Sequence, residues 1–450
     1  MNLKKLFAAA LAALMLVVPV AAAEPSAWAL GELTDSEALG MLTQADMEVL
    51  QSTVTHEKLQ VICNALDSRL AAAGLEKRAD YTLAPVAAEL TRGAVMNALA
   101  DIVYSYTMPD GVLPEAADAA QLLQALGVVR GYSDGSVQAD RLCTLEEAFV
   151  MGSRCVTALV DLLDDGSNGF LWKAEKDGTT VYLLGTIHID RGSIYPFGSQ
   201  LRGVMADADR VVFEVDFGNE EGLAAYAAMQ VYSDGTSLSD HIDADLYQQV
   251  VELLAPYGYD ENIVSTLKPW VVANLVTSLQ ASDVQGTDVS VPMVIDMYVY
   301  SRSLVDGKDI AEIEGYAYQA ELFDSLSAEY QNEYLRQTVE LFLAGSETES
   351  AAESANSVYD EWIGMWIDRD IDGFTAAYPK DEAAMTEDEL NSKLFGERDD
   401  NMSAYVKNLL DAQDGTTSLV VVGAGHMIGE TGIVQQLLDA GYTVAPVPVE

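Results

Sequence analysis

"TTVYLLGTIHI", residues 179–189, is a run of β-branched and apolar residues that reaches a glycine and then, three positions on, a histidine. "TSLVVVGAGH", residues 417–426, repeats that order near the other end of the chain. Both read as short buried strands, each turning at a glycine to give Gly185-Thr186-Ile187-His188 and Gly423-Ala424-Gly425-His426. Ligands bind outside the carboxyl ends of strands in open α/β sheets, and glycine there lets the backbone turn sharply or approach a ligand closely. "ADRVVFEVDF", residues 208–217, is a third strand candidate, and it carries Glu214 and Asp216. Side chains two apart along a strand share a face. A carboxylate amid such apolar residues is costly to bury unless it is paired, hydrogen-bonded or bound to a metal. "KDIAEIE" (308–314) and "YTVAPVPV" (442–449) add two more strand candidates. The expected class beyond residue 170 is therefore α/β, a central sheet with strand-end Gly-x-x-His motifs.

Two imidazoles and a carboxylate converging from separate strand ends would hold a divalent metal with open positions, or form a general acid/base cluster. A single strand-end histidine is more often a hydrogen-bonded structural residue. The chain has only four histidines, however, and two of them share one local pattern. His188, His426 and Glu214 are the candidate metal ligands. His56 and His241 sit in a helix cap and before a helix, and are left out of the site. Gly423, Gly425 and Gly429 also invite comparison with a dinucleotide fingerprint. That reading fails because position 428 is Ile and one further strand at most fits before Glu450.

The rest of the chain frames this region. Lys4 and Lys5, an apolar run from Leu6 to Val18 and Ala21-Ala22-Ala23 have the layout of a secretory signal peptide, residues 1–23. The run is short of the roughly 20 residues a spanning helix needs, so the expectation is a secreted or cell-wall-associated protein without a membrane span. Asp and Glu outnumber Lys and Arg by 71 to 24, for a formal charge of −47; nucleic acid and anionic lipid are poor partners for such a chain. Cys63, Cys143 and Cys155 show no zinc-ligand spacing, and Cys143 with Cys155 is the candidate disulfide. Residues 24–163 read as helical, and "LDDGSNG" (163–169) as the linker into the domain 170–450. The middle of that domain reads as a large helical insertion, with a loop at 344–357.

Two resemblances follow from these motifs. "THEK" (55–58), Thr91-Arg92 and "TLEE" (144–147), each opening a helix, make residues 25–163 similar to S-layer homology repeats, which implies binding to a cell-wall polymer in a bacterium. The alternative is a helical spacer whose threonines are helix caps. Residues 170–450 resemble the TraB/GumN family, which includes the Tiki proteins, along their whole length. The resemblance rests on "VYLLGTIHIDRGSIYPF" (181–197), "ADRVVFEVDF", the segment 294–326 with Asp296, Glu314 and Gln319, "LFGERDDNMSAYVKNLL" (394–410) and "VVVGAGHMIGETGIVQQLLDAGYTVAPV" (420–447). It implies a metal-dependent hydrolase of peptidase type, with a divalent ion such as Mn, Co or Zn held by His188, Glu214 and His426. Glu214 and Arg398 would be the catalytic side chains, and the substrate a peptide or small molecule. One departure is Arg398-Asp399-Asp400-Asn401, where the family more often has asparagine directly after the arginine. The rival function is a ligand- or peptide-binding protein without chemistry, attached to the cell wall.

Overall fold

A computed structural model describes residues 25–132, 134–187, 193–281, 293–347, 349–378, 380 and 388–449. The signal-like residues 1–23 and His188 lie outside the described residues. The chain divides into two compact units, one formed by residues 25–167 with 193–202, the other by 168–187 and 203–449. Among the described residues no helix is long and apolar enough to cross a membrane.

The first unit is helical, and its helices start where the sequence provides caps. Thr55, Thr91 and Thr144 precede the helices His56–Ala72, Arg92–Tyr104 and Leu145–Leu163, and each hydroxyl accepts a backbone N–H from three residues on. Glu147 completes a capping box by accepting the Thr144 N–H at 3.1 Å. Arg92 is buried and donates to Glu147 at 2.8 Å; Arg141 and the Tyr132 hydroxyl meet the same carboxylate. The three cysteines are free and buried in this unit. Burial, then nearby carboxylates, pushes the Cys63 thiol up to about 11. The Cys143–Cys155 bridge is not formed. The two residues are separated along the helix Leu145–Leu163 and its lead-in by roughly 15 Å at the helical rise per residue, beyond disulfide reach.

The second unit is built on a six-stranded sheet in the order β4-β3-β5-β2-β1-β6. The strands are β1 (Phe170–Lys176), β2 (Thr179–Thr186), β3 (Arg210–Phe213), β4 (Asp309–Glu312), β5 (Thr417–Gly423) and β6 (Thr443–Pro446). β4, β3, β5 and β2 run parallel, while β1 pairs antiparallel with both β2 and β6. Strand β5 sits between two parallel neighbours and is buried from Ser418 to Gly423, as expected for a strand covered on both faces. β1 extends the expected set of strands. It forms a hairpin with β2 across Asp177-Gly178, both at positive φ.

Two expectations are corrected. The strand read through Glu214 and Asp216 ends at Phe213, so both acids lie beyond it, and they have separate partners: Asp216 accepts from the Tyr300 hydroxyl at 2.8 Å, and Glu214 makes the contacts described below. The segment read as a loop at 344–357 is helical in its described residues, which close the helix Ala328–Glu347 and open the helix Glu349–Asp368. Its alanines and glutamates are strong helix formers, and they outweigh the serines. The helical insertion packs around its own aromatic core, where Trp270 stacks on Phe323 at 5.5 Å and meets Tyr226 edge-on.

Candidate functional site

Strand register brings the two Gly-x-x-His motifs together. Gly185 of β2 pairs with Val422 of β5, and Thr186 with Gly423, so the two strands reach their carboxyl ends side by side. Glycine at 185 eases that approach, since a Cβ there would stand 3.1 Å from the Cα of Ala424, closer than ordinary contact. Beyond Gly423 the chain makes a single helical turn, Ala424–Met427, which carries His426. β3 flanks β5 on its other side, with Phe213 paired to Val421. Glu214, the next residue, therefore arrives at the same end of the sheet.

Glu214 is 4% exposed and both its oxygens are engaged. Oε1 accepts the Gly423 N–H at 2.8 Å. Oε2 accepts from Gln319 at 3.0 Å and from Arg398 at 3.1 Å. Arg398 comes from the helix Glu397–Asp411 and grips Glu314 with two parallel bonds of 2.7 Å, the bidentate geometry that suits guanidinium and carboxylate. Burial alone would lower the Arg398 pKa; Glu314 and Glu214 overcome that and raise it above its ordinary value. Asp296, on the helix Ile295–Val305, accepts from the Thr186 hydroxyl at 3.0 Å. Thus Asp296, Glu314 and Gln319 all reach the strand ends or the side chains gathered there.

His426 belongs to a neighbouring cluster. Its Nδ1 lies 2.7 Å from Oδ1 of Asp399, and Oδ2 of Asp399 accepts from Lys380 Nζ at 2.7 Å. The three side chains are 6%, 0% and 1% exposed, in that order. Phe395 closes the cluster, its ring 5.4 Å from the imidazole and 4.6 Å from the Lys380 ammonium. Arg398 and Asp399 are consecutive on one helix and so diverge by about 100°, which follows from 3.6 residues per turn. One serves Glu214 and the other His426. Among the described residues, Glu214 and Arg398 are in direct contact, whereas no hydrogen bond or ion pair joins either to His426. Gly423, three residues before His426, is the link.

The donor chemistry fits a divalent cation, although the described residues provide only part of a ligand set. A metal-binding histidine typically gives its other ring nitrogen to a carboxylate, and His426 does so with Asp399, which leaves Nε2 as the outward nitrogen. Glu214 Oε1 accepts the Gly423 N–H, and Oε2 serves both Gln319 and Arg398. No group of three His, Cys, Asp or Glu side chains able to hold a metal occurs among the described residues. Sequence reasoning missed Asp399 as a partner of His426, and missed Lys380 altogether. The available signals were Asp399 itself, standing where the resembled family more often has asparagine, and a lysine within the acidic stretch around 380.

The TraB/PrgY/gumN family profile matches residues 170–446. This chain belongs to that family. Similar curated proteins include metalloprotease TIKI1 of Danio rerio, 23% identical over 62% of this chain and 63% of that protein. Metalloprotease TIKI2 of Xenopus tropicalis is 23% identical over 62% and 60%. A metalloprotease TIKI homolog of Amphimedon queenslandica is 21% identical over 62% and 61%. The chain thus spans a little under two thirds of the length of these relatives. No solved structure matches it significantly.

Proposed function

We propose that the α/β unit is a metal-dependent hydrolase of peptide bonds in which His188, Glu214 and His426 hold one divalent cation, with manganese, cobalt and zinc as the candidates. The supporting observation is the root of the second Gly-x-x-His turn. There the Glu214 carboxylate from β3 receives the Gly423 N–H, and the turn it anchors delivers an imidazole whose Nδ1 is held by a buried acid. Relatives named as metalloproteases give the same direction. Nitrogen and oxygen donors without thiolate suit these borderline and harder ions, and the cysteines all belong to the other unit.

The cation, when bound, supplies Lewis acidity toward a carbonyl oxygen. The protein's own groups divide the remaining work. Arg398 neutralises and orients Glu214 while also gripping Glu314 with two bonds, so its part is to steady carboxylates; its buried position does not suit it to a developing oxyanion. Gln319 adds a neutral donor that fixes the plane of Glu214. The Gly423 N–H ties the acid to the turn that carries His426, so the two candidate ligands are held at a constant separation before any substrate arrives, which is the purpose of a preorganised site.

The test is turnover of a peptide library by the full-length protein. Cleavage that a chelator abolishes, that one of the three metals restores and that His426→Ala removes is the expected result. Ligand binding with no cleavage under any metal would replace the hydrolase with a binding protein that uses the same crevice.

A further inference from the structure

We infer that Asp399, clamped by Lys380, is a positioning residue that fixes His426 in the tautomer protonated on Nδ1 and so keeps Nε2 as the bare, coordinating nitrogen. The inference deepens the proposed metal site and rests on that reading for its consequence, but its structural core stands alone. A neutral imidazole has one N–H and one acceptor nitrogen, and the hydrogen bond at one nitrogen decides which is which. Asp399 Oδ1, 2.7 Å from Nδ1, can only accept when ionised, so the proton of a neutral ring belongs on Nδ1.

Lys380 holds that carboxylate in place. Its ammonium donates to Oδ2 at 2.7 Å. Each partner would be costly to bury alone, and removing one strands the other. The Thr431 hydroxyl adds a longer contact of 3.5 Å to the same oxygen. Aromatic rings seal the cluster: Phe395 lies against both Lys380 and His426, and Tyr378 meets Phe395 edge-on at 6.4 Å. A Cβ added to Gly425 would stand 3.2 Å from the Tyr378 ring and 3.3 Å from the Phe395 ring, so the turn bearing His426 is packed tightly against this lid. Satisfied polar groups in such dry surroundings are rigid. The imidazole therefore has its proton position and its plane set before a metal binds.

Histidine-labelled protein tests this by nitrogen-15 NMR on the metal-free full-length chain. Only four histidines contribute signals, and His426→Ala identifies the one concerned. Wild-type protein is expected to show His426 protonated on Nδ1, and Asp399→Ala to lose that preference. Asp399→Asn keeps an acceptor oxygen and is expected to restore most of it. In parallel, Co²⁺ affinity measured by equilibrium dialysis should fall 10–100-fold in Asp399→Ala, the usual loss when such an outer partner is removed, and recover in Asp399→Asn. Wild-type His426 protonated on Nε2, or an unchanged tautomer in Asp399→Ala, overturns the inference. The expected tautomer in a wild-type protein that binds no Co²⁺, Mn²⁺ or Zn²⁺ would instead defeat the metal-site reading while leaving the positioning role standing. Should Asp399→Ala fail to fold, the wild-type and Asp399→Asn spectra still decide.

Discussion

Both units bury an ionic cluster, and the two are built with opposite stoichiometry. In the helical unit, Arg92 and Arg141 share the single carboxylate of Glu147, which also accepts from the Tyr132 hydroxyl and the Thr144 N–H. In the α/β unit, Glu214 and Glu314 share the single guanidinium of Arg398. The first cluster sits at a helix start and opens to solvent through Arg141, whose side chain is 41% exposed. Its every contact serves a cap or a connection between helices. The second is 3–5% exposed throughout and, among the described residues, sets two carboxylates on one guanidinium near the carboxyl ends of β3 and β5. Removing the one guanidinium of this dry cluster would strand both acids.

This contrast is open to attack by substitution. Arg398→Ala leaves two buried carboxylates without their cation, and should cost about 3–5 kcal/mol, the range for breaking a buried pair, read as an early denaturant transition of the α/β unit. Arg92→Ala should cost less, about 1–3 kcal/mol, because Glu147 retains Arg141, Tyr132 and the Thr144 N–H. Equal losses would erase the distinction between a dry, acid-rich cluster and a redundant structural one. Thr91→Ala removes one cap bond, to the Ala94 N–H, and should cost about 1 kcal/mol in the helical unit while leaving metal binding untouched.

The sequence made legible what local pattern controls. β2 and β5 are apolar runs ending in glycine, and their motifs could be matched before any register was known. Register then gave Gly185 a reason, because Ala424 packs closely against it. β1 escaped because Lys173-Ala174-Glu175-Lys176 looks helical by composition; only the Asp177-Gly178 turn after it carried a strand signal. Helical alanines outweighed loop-like serines near 350 in the same way. The approach of Arg398 to Glu214, a contact 184 residues apart in the chain, came within reach through family resemblance and not through spacing. The pairing of Asp399 with His426 was hidden for a different reason. Neighbouring residues on a helix diverge, so nothing in the string "ERDDN" reveals that Arg398 and Asp399 serve two clusters.

The proposed divalent-cation site rests on the paired Gly-x-x-His motifs. Elemental analysis and equilibrium dialysis with Mn²⁺, Co²⁺ and Zn²⁺ on the full-length protein, beside a His188→Ala, His426→Ala double variant of unchanged thermal stability, test it most directly. One tightly held ion per chain in the wild type and none in the variant is the predicted result. Equal metal content in the two proteins would contradict it.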